Sequence, residues 1–79
     1  MMTFELENIK RVNHVARLCS KRNLDRVGWL REAQYYLKLA RNTALKAYDG
    51  DTDLSLDVVE RIAIYFHVTK DDVLETVIK

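Results

Sequence analysis

The sequence predicts an all-α fold, a compact five-helix bundle that forms one domain. Three observations lead to this prediction. The chain has 79 residues, which is the size of a single small domain. It contains two glycines and no proline, so few residues interrupt a helix. Its apolar residues recur at spacings of three and four, which is the period of an amphipathic helix.

The first helix is predicted from about Glu5 to Lys21. Six apolar residues at helical spacing form its stripe: Ile9, Val12, Val15, Ala16, Leu18 and Cys19. Because the chain has one cysteine and can form no internal disulfide, Cys19 is interpreted as a core residue. Residues 1–7 are predicted to be an N-terminal arm, in which Phe4 has no obvious place in the core, and residues 8–79 the folded domain.

The second helix is predicted to begin after Asp25, whose carboxylate can accept hydrogen bonds from the first N–H groups. Trp29 is its large apolar anchor. Four residues are predicted to share its buried face: Val27, Leu30, Ala33 and Leu37. The helical phase then shifts near residues 38–41. A short third helix is predicted at about 40–48, with an inward face formed by Ala44, Ala47 and Tyr48.

The third helix is predicted to end at Gly50, because glycine readily takes the left-handed conformation that closes a helix. Ser55 is predicted to cap a fourth helix, and His67 to stop that helix in a left-handed conformation. The buried stripe of the fourth helix is predicted to contain Leu56, Val59, Ile62, Ala63 and Phe66. A fifth helix is predicted to begin at Thr69, which can form a capping box with Asp72.

Charge is distributed unevenly along the chain. Residues 1–48 hold ten Lys or Arg and four Asp or Glu, whereas residues 49–79 hold three and eight, although the whole chain has a net charge of +1. Such asymmetry favours a polyanion as the partner of the first part and a basic protein as the partner of the acidic second part. The alternative interpretation is a pair of solvated faces.

Composition and spacing exclude several function classes. A domain of this size rarely encloses a deep substrate cleft, so no enzymatic activity is predicted. No apolar run approaches the ~20 residues that span a bilayer, and the N-terminal sequence lacks the layout of a secretory signal. A cytoplasmic protein without membrane contact is therefore expected. His14 and His67 have no partner at metal-ligand spacing, so neither a metal nor a cofactor is predicted.

Residues 49–60, DGDTDLSLDVVE, place oxygen-bearing side chains at the ligand positions of an EF-hand calcium loop. Such a loop requires glycine at its sixth position for a sharp turn, and Leu54 stands there. The helix pattern explains the same residues, because Gly50 ends one helix and Ser55 caps the next. A calcium site is therefore the weaker interpretation of this segment.

Several motifs follow one another in the second half of the chain. Ala40-Arg41-Asn42-Thr43 opens the third helix, Tyr48-Asp49-Gly50 ends it, and Ser55-Leu56 opens the fourth. The segment IAIYFHVTKDDVL closes the run at residues 62–74. In their order and spacing these motifs resemble the helix-turn-helix domains of the phage lambda repressor and Cro type, the XRE family. With the first helix included, the resemblance covers about residues 8–77.

Two positions depart from the pattern of that family. Gln34 and Lys38 stand where the family usually has a small alanine and the glycine of the turn. Either a short insertion lies within residues 34–38, or the second helix runs further than usual, so the conformation of residues 34–40 stays open. Tyr35 and Tyr36 are additional aromatic residues here, and at least one of them is expected in the core.

The resemblance implies a lambda-repressor-like domain that binds double-stranded DNA as a transcriptional regulator, with its third helix in the major groove. Base contacts are expected from Arg41, Asn42, Thr43, Leu45 and Lys46. Phosphate contacts are expected from Arg26, Arg31 and Lys38. Asp51 is expected to repel a nearby phosphate. The alternative is a protein-interaction module on the same fold, antitoxin-like or an adaptor, with little DNA binding.

A homodimer is also expected, because one short recognition helix reads only a few base pairs. Two segments hold apolar residues that the core does not require. One is the end of the last helix, with Leu74, Val77 and Ile78, and the other is the N-terminal segment MMTFEL.

Overall fold

The computed structural model describes residues 9–78. They form five helices and one two-stranded antiparallel sheet, so the all-α prediction is wrong and the domain is mixed α/β. The elements in chain order are β1 (Ile9–Asn13), α1 (Val15–Lys21), α2 (Arg26–Tyr35), α3 (Arg41–Tyr48), α4 (Leu56–Phe66), α5 (Lys70–Val73) and β2 (Leu74–Ile78). The predicted N-terminal arm, residues 1–7, lies outside the described residues.

The predicted first helix, Glu5–Lys21, is wrong over its N-terminal part. Residues Ile9–Asn13 form β1, and α1 begins only at Val15. The Asn13 side chain marks the change, because its Oδ1 accepts a hydrogen bond from the Val15 N–H at 2.8 Å. Such a local bond offers the backbone an alternative to helical hydrogen bonding. The apolar residues upstream of Asn13 therefore belong to a strand rather than to the helical stripe.

The two strands come from opposite ends of the described chain. β1 pairs with β2 in a register that runs from Ile9 opposite Ile78 to Asn13 opposite Leu74. Both strands contain β-branched residues, which suit a pleated sheet. The predicted fifth helix is therefore only four residues long. The residues after it, which were expected to continue the helix, form β2 instead.

The hydrophobic core lies between the helices, with Trp29 fully buried at its centre. Its buried residues are Val15, Cys19, Trp29, Ala33, Leu37, Leu39, Ala44, Ala47, Val59, Ile62, Ala63, Phe66 and Val73. The predicted core position of Cys19 is confirmed, and burial raises the pKa of its thiol to about 12. The predicted core positions of Val27 and Leu56 are wrong, because these side chains are 65% and 63% exposed.

The predicted helix ends are confirmed where local signals define them. Asp25 Oδ1 accepts a hydrogen bond from the Gly28 N–H at 2.7 Å, and Ser55 Oγ accepts one from the Val58 N–H at 3.3 Å. Thr69 and Asp72 form the predicted capping box. Within residues 9–78, no helix is both long enough and apolar enough to cross a membrane.

The predicted left-handed stop at His67 is also confirmed. His67 has φ 58° and ψ 46°. The Val68 N–H donates a hydrogen bond to the Ala63 carbonyl at 3.0 Å, and this bond closes the end of the helix. A residue with a Cβ is strained in this region, whereas glycine is not.

Replacing His67 with glycine should therefore stabilise the domain. We expect His67→Gly to raise the free energy of unfolding by about 1 kcal/mol, since the exposed imidazole makes no contact that the turn requires. Glu60→Gly, at an exposed position inside the same helix, should lower it by about 1 kcal/mol. Urea denaturation followed by circular dichroism measures both changes. A loss of stability in His67→Gly would contradict the prediction.

Candidate nucleic-acid interface

The turn between α2 and α3 closes at Lys38. This residue has φ 58°, the left-handed conformation that glycine adopts most easily, and its side chain is exposed. Leu37 and Leu39 on either side of it are buried, and the Leu39 N–H donates to the Ala33 carbonyl at 3.1 Å. Helix α2 ends at Tyr35. The two leucines thus hold the turn in the core while Lys38 itself adopts the conformation of a turn glycine.

Two long-range hydrogen bonds from side chains fix the turn and the middle of α3. The Trp29 indole Nε1–H donates to the Ala44 carbonyl at 2.9 Å, which ties the centre of α2 to the middle of α3. The Arg61 guanidinium donates from Nη1 to the Leu37 carbonyl at 3.0 Å, which ties the turn to α4. Because both donors belong to elements packed in the core, they limit movement of α3 relative to the rest of the domain.

The end of α3 is held by Asn13 at the base of the sheet. Its Nδ2 donates to the Ala47 carbonyl at 2.9 Å and to the Asp51 carbonyl at 2.6 Å. Gly50 has φ 99°, and this left-handed conformation ends the helix. It lets the Asp51 N–H donate a hydrogen bond to the Lys46 carbonyl at 3.0 Å. The strand that replaces the predicted start of the first helix thus supplies a residue that positions α3.

The two sides of α3 differ in burial. Ala44 and Ala47 are fully buried, as predicted. The residues predicted to contact bases lie as follows: Arg41, Asn42 and Lys46 are exposed, and Thr43 and Leu45 are half-buried. Spacings of one and four residues bring Arg41, Asn42 and Lys46 to one side of the helix. The helix therefore presents hydrogen-bond donors of two chemical kinds, cationic and amide, to the exterior.

The residues predicted to contact phosphate lie in three different environments. Arg26 forms a two-point ion pair with Asp49, at 3.0 Å from Nε and 2.8 Å from Nη2. Hydrogen bonding from Arg26 lowers the pKa of Asp49. Arg31 is exposed on α2. The Lys38 ammonium lies 5.5 Å from the centroid of the exposed Tyr35 ring.

The two ends of α3 carry opposite charge. Lys38 and Arg41 lie at its N-terminal end, where the helix dipole is also positive. Asp51 and Asp53 follow its C-terminal end, whereas the charge of Asp49 is paired with that of Arg26. The Asp51 Oδ1 accepts a hydrogen bond from the Asp53 N–H at 2.9 Å, so this carboxylate also orders the following loop. An anionic partner therefore meets attraction at one end of the helix and repulsion at the other.

The acidic segment 49–60 is used for structure. Both oxygens of Asp49 accept hydrogen bonds from Arg26, Ser55 caps α4, and residues from Leu56 onward are helical. Within the part of the chain that the structure describes, no group of three or more metal-binding side chains lies together.

A second exposed surface lies beside the turn, and we call it the tyrosine patch: Tyr35, Tyr36 and Ile64. These side chains are 66%, 62% and 74% exposed, so the prediction that at least one tyrosine is in the core is wrong. The Tyr35 and Tyr36 rings meet edge to face, with 4.7 Å between centroids. Lys38, Arg61 and Ile64 line a groove of about 470 Å³ together with Tyr36. This surface offers aromatic and cationic contacts to a partner.

The sequence did not reveal the hydrogen-bonding roles of Asn13, Trp29 and Arg61. The sequence indicates that Trp29 is an apolar anchor, but the acceptor of its indole N–H lies in another helix. The acceptors of Asn13 and Arg61 are carbonyl groups 24 to 38 residues away in the chain. A local pattern carries no signal for contacts at that distance in sequence.

Comparison with protein-family models, curated proteins and solved structures finds no significant match to this chain. Function is therefore inferred from the geometry of residues 9–78.

Replacing Trp29 with phenylalanine tests the tie between α2 and α3. We expect Trp29→Phe to lower the free energy of unfolding by roughly 2–3 kcal/mol, because the indole hydrogen bond is lost and the smaller ring leaves a void. Tyr35→Phe is the control. Because this side chain is exposed, its replacement should change the free energy of unfolding by less than about 0.5 kcal/mol. Urea denaturation measures both, and equal stabilities of the two variants would contradict the assigned role of Trp29.

Proposed function

We propose that the protein binds double-stranded DNA as a sequence-specific transcriptional regulator of the lambda repressor and Cro (XRE) type. One observation carries the proposal: α3 is fixed to the core from one side, and its other side exposes Arg41, Asn42 and Lys46. In this proposal α2, the turn and α3 act as a helix-turn-helix, with α3 in the major groove.

The exposed residues of α3 suit the chemistry of base edges. An arginine can donate two hydrogen bonds to guanine O6 and N7, and an asparagine can pair with adenine N6 and N7. Arg41 and Asn42 stand at the start of the helix, which is the part that enters the groove most closely in this class of domain. Thr43 and Leu45 are half-buried and would reach DNA only at the edge of the contact, Leu45 beside a thymine methyl.

Phosphate binding is expected from Lys38 and Arg31, which the structure leaves exposed. Arg26 already pairs with Asp49, so a phosphate would have to compete with that carboxylate. Asp51 and Asp53 stand beyond the C-terminal end of α3 and weaken binding there by repulsion. The predicted non-specific affinity is therefore low, and its dependence on salt is shallow because few phosphates are neutralised.

Alanine substitutions on α3 test base recognition. On a duplex selected for tight binding, Arg41→Ala or Asn42→Ala should each cost roughly 1–3 kcal/mol, and much less on random DNA. Both side chains are exposed, so the fold should be unchanged. Arg17→Ala, an exposed arginine on α1, is the matched control and should bind like the parent protein. Electrophoretic shift assays measure these affinities. Unchanged affinity of both α3 variants for the selected duplex would overturn the proposal.

A substitution in the turn should behave differently. Lys38→Gly removes a charge and keeps the left-handed turn, so the loss of one phosphate contact is separated from any change of fold. We expect weaker binding to selected and random duplexes alike, with the slope of log affinity against log salt reduced by about one unit. A loss confined to the selected duplex would instead assign Lys38 to base recognition.

The tyrosine patch favours a second candidate function, a protein-interaction module of the antitoxin or adaptor kind. Exposed tyrosines beside a cation are typical of the centre of a protein interface. The acidic segment that follows α3 also suits a basic partner better than DNA. Electrophoretic shifts with random duplex DNA at low salt separate the two functions, because only the DNA-binding protein should retard the duplex.

A further inference from the structure

The groove beside the tyrosine patch has an apolar floor and a cationic rim, and we call it the tyrosine groove. Six residues line it: Tyr36, Leu37, Lys38, Arg61, Ile64 and Tyr65. Leu37 is buried, and the centroids of the Tyr36 and Tyr65 rings lie 6.4 Å apart. Two of the six residues are cationic and none is acidic. The lining therefore offers apolar contact and also selects a partner by charge.

Two carboxylates beside the tyrosine groove already have partners within the fold. Glu32 Oε1 accepts a hydrogen bond from the Tyr65 hydroxyl at 2.6 Å, and Asp57 Oδ2 lies 3.2 Å from Arg61 Nη2. Within residues 9–78, no ion pair joins the exposed Lys38 ammonium to a carboxylate. A carboxylate from another molecule can therefore approach Lys38 without displacing one that the fold supplies.

The apolar surface continues beyond the tyrosine groove. Ile64 also lines a second groove, of about 510 Å³, to which Ala63 and Val68 contribute apolar atoms. Glu60 and Lys70 line the second groove as well, and their charges are paired at 3.6 Å. The exposed Ile64 side chain thus stands between two grooves, and the charge that can select a partner lies on the side of the tyrosine groove.

This arrangement favours a protein segment over a nucleic acid as the occupant. A nucleic-acid strand requires a donor or a cation for each phosphate and gains little from an exposed aliphatic side chain. A protein interface instead has aromatic and apolar contacts at its centre and polar groups at its rim. Tyr36 and Ile64 form such a centre, with Lys38 and Arg61 at the rim. Covering the centre removes apolar area from water.

We propose that the tyrosine groove binds an acidic, amphipathic segment of a partner protein. Apolar side chains of the segment would pack on Tyr36 and Ile64, and its carboxylates would meet Lys38 and Arg61. Such charge complementarity determines which partners associate and how fast. The inference deepens the second candidate function by naming the chemistry of the partner. It requires no DNA, because the groove lies on α4 and on the end of α2 with the following turn, and Lys38 is the residue that the two proposals share.

Peptide display tests the chemistry of the partner. Random dodecapeptides are selected on the parent protein in the absence of DNA, and the selected peptides are synthesised with a fluorescent label. We expect Asp or Glu next to Leu, Phe or Trp in the selected sequences, and binding that weakens as salt is added. Selection of no binder, or of basic peptides, would overturn the proposal.

Two substitutions of Ile64 test whether the selected peptides occupy the tyrosine groove. Ile64→Glu and Ile64→Lys both remove the exposed aliphatic side chain, and circular dichroism should show an unchanged fold. We expect Ile64→Glu to bind at least about fivefold more weakly than Ile64→Lys, because only glutamate repels an acidic peptide. Leu56→Glu is the matched control. It adds the same charge at an exposed apolar residue of α4 outside the groove, and it should bind like the parent protein.

Fluorescence anisotropy measures these affinities. Equal affinities of Ile64→Glu and Leu56→Glu would place the peptides elsewhere and contradict the proposal. An Ile64→Glu variant that loses as much affinity for random duplex DNA as for the peptides would make the groove a nucleic-acid surface, which is also contrary to the proposal. Because the peptide assays contain no DNA, their failure leaves the DNA-binding proposal to its own test. Peptides that bind outside the groove would still support a protein-interaction module.

Discussion

The indole of Trp29 is the group around which this small domain is arranged. It is fully buried, stacks on Phe66 with 5.7 Å between ring centroids, and meets the Tyr65 ring edge to face. Its N–H, which would be costly to bury alone, donates to the Ala44 carbonyl of α3. One side chain thus joins α2, α3 and α4. Because Ala44 has almost no side chain, α3 can approach the indole closely and still expose its opposite side.

That packing makes the exterior of α3 a fixed surface rather than a mobile one. The Arg61 guanidinium fixes the preceding turn and Asn13 fixes the end of the helix, so both ends of α3 are tied to other elements. A rigid element holds recognition groups in place without the loss of entropy that a loop would incur on binding. Arg41 places a positive charge at the start of α3, and Asp51 places a negative charge just after its end. The two ends of the surface therefore differ in charge.

The sequence predicted the parts of this fold that depend on neighbouring residues. Caps at Asp25, Ser55 and Thr69 depend on contacts a few residues away, and a sequence pattern carries that information. The ribbon depends on the pairing of Ile9–Asn13 with Leu74–Ile78, which are far apart in the chain. The apolar residues of β1 also have helical spacing, so the sequence indicated a helix there. Which side of α3 is buried was predicted from periodicity. The side chains that hold it there were not, because their acceptors lie far away in the chain.

Amide chemical shifts of the ¹⁵N-labelled protein, titrated with duplex DNA at low salt, test most directly whether α3 is the recognition surface. We predict that the largest changes fall on residues 38–46 and reverse as salt is added. The tyrosine patch, represented by Tyr36 and Ile64, should change little. Absence of shifts on α3, or shifts centred on that patch, would contradict the account.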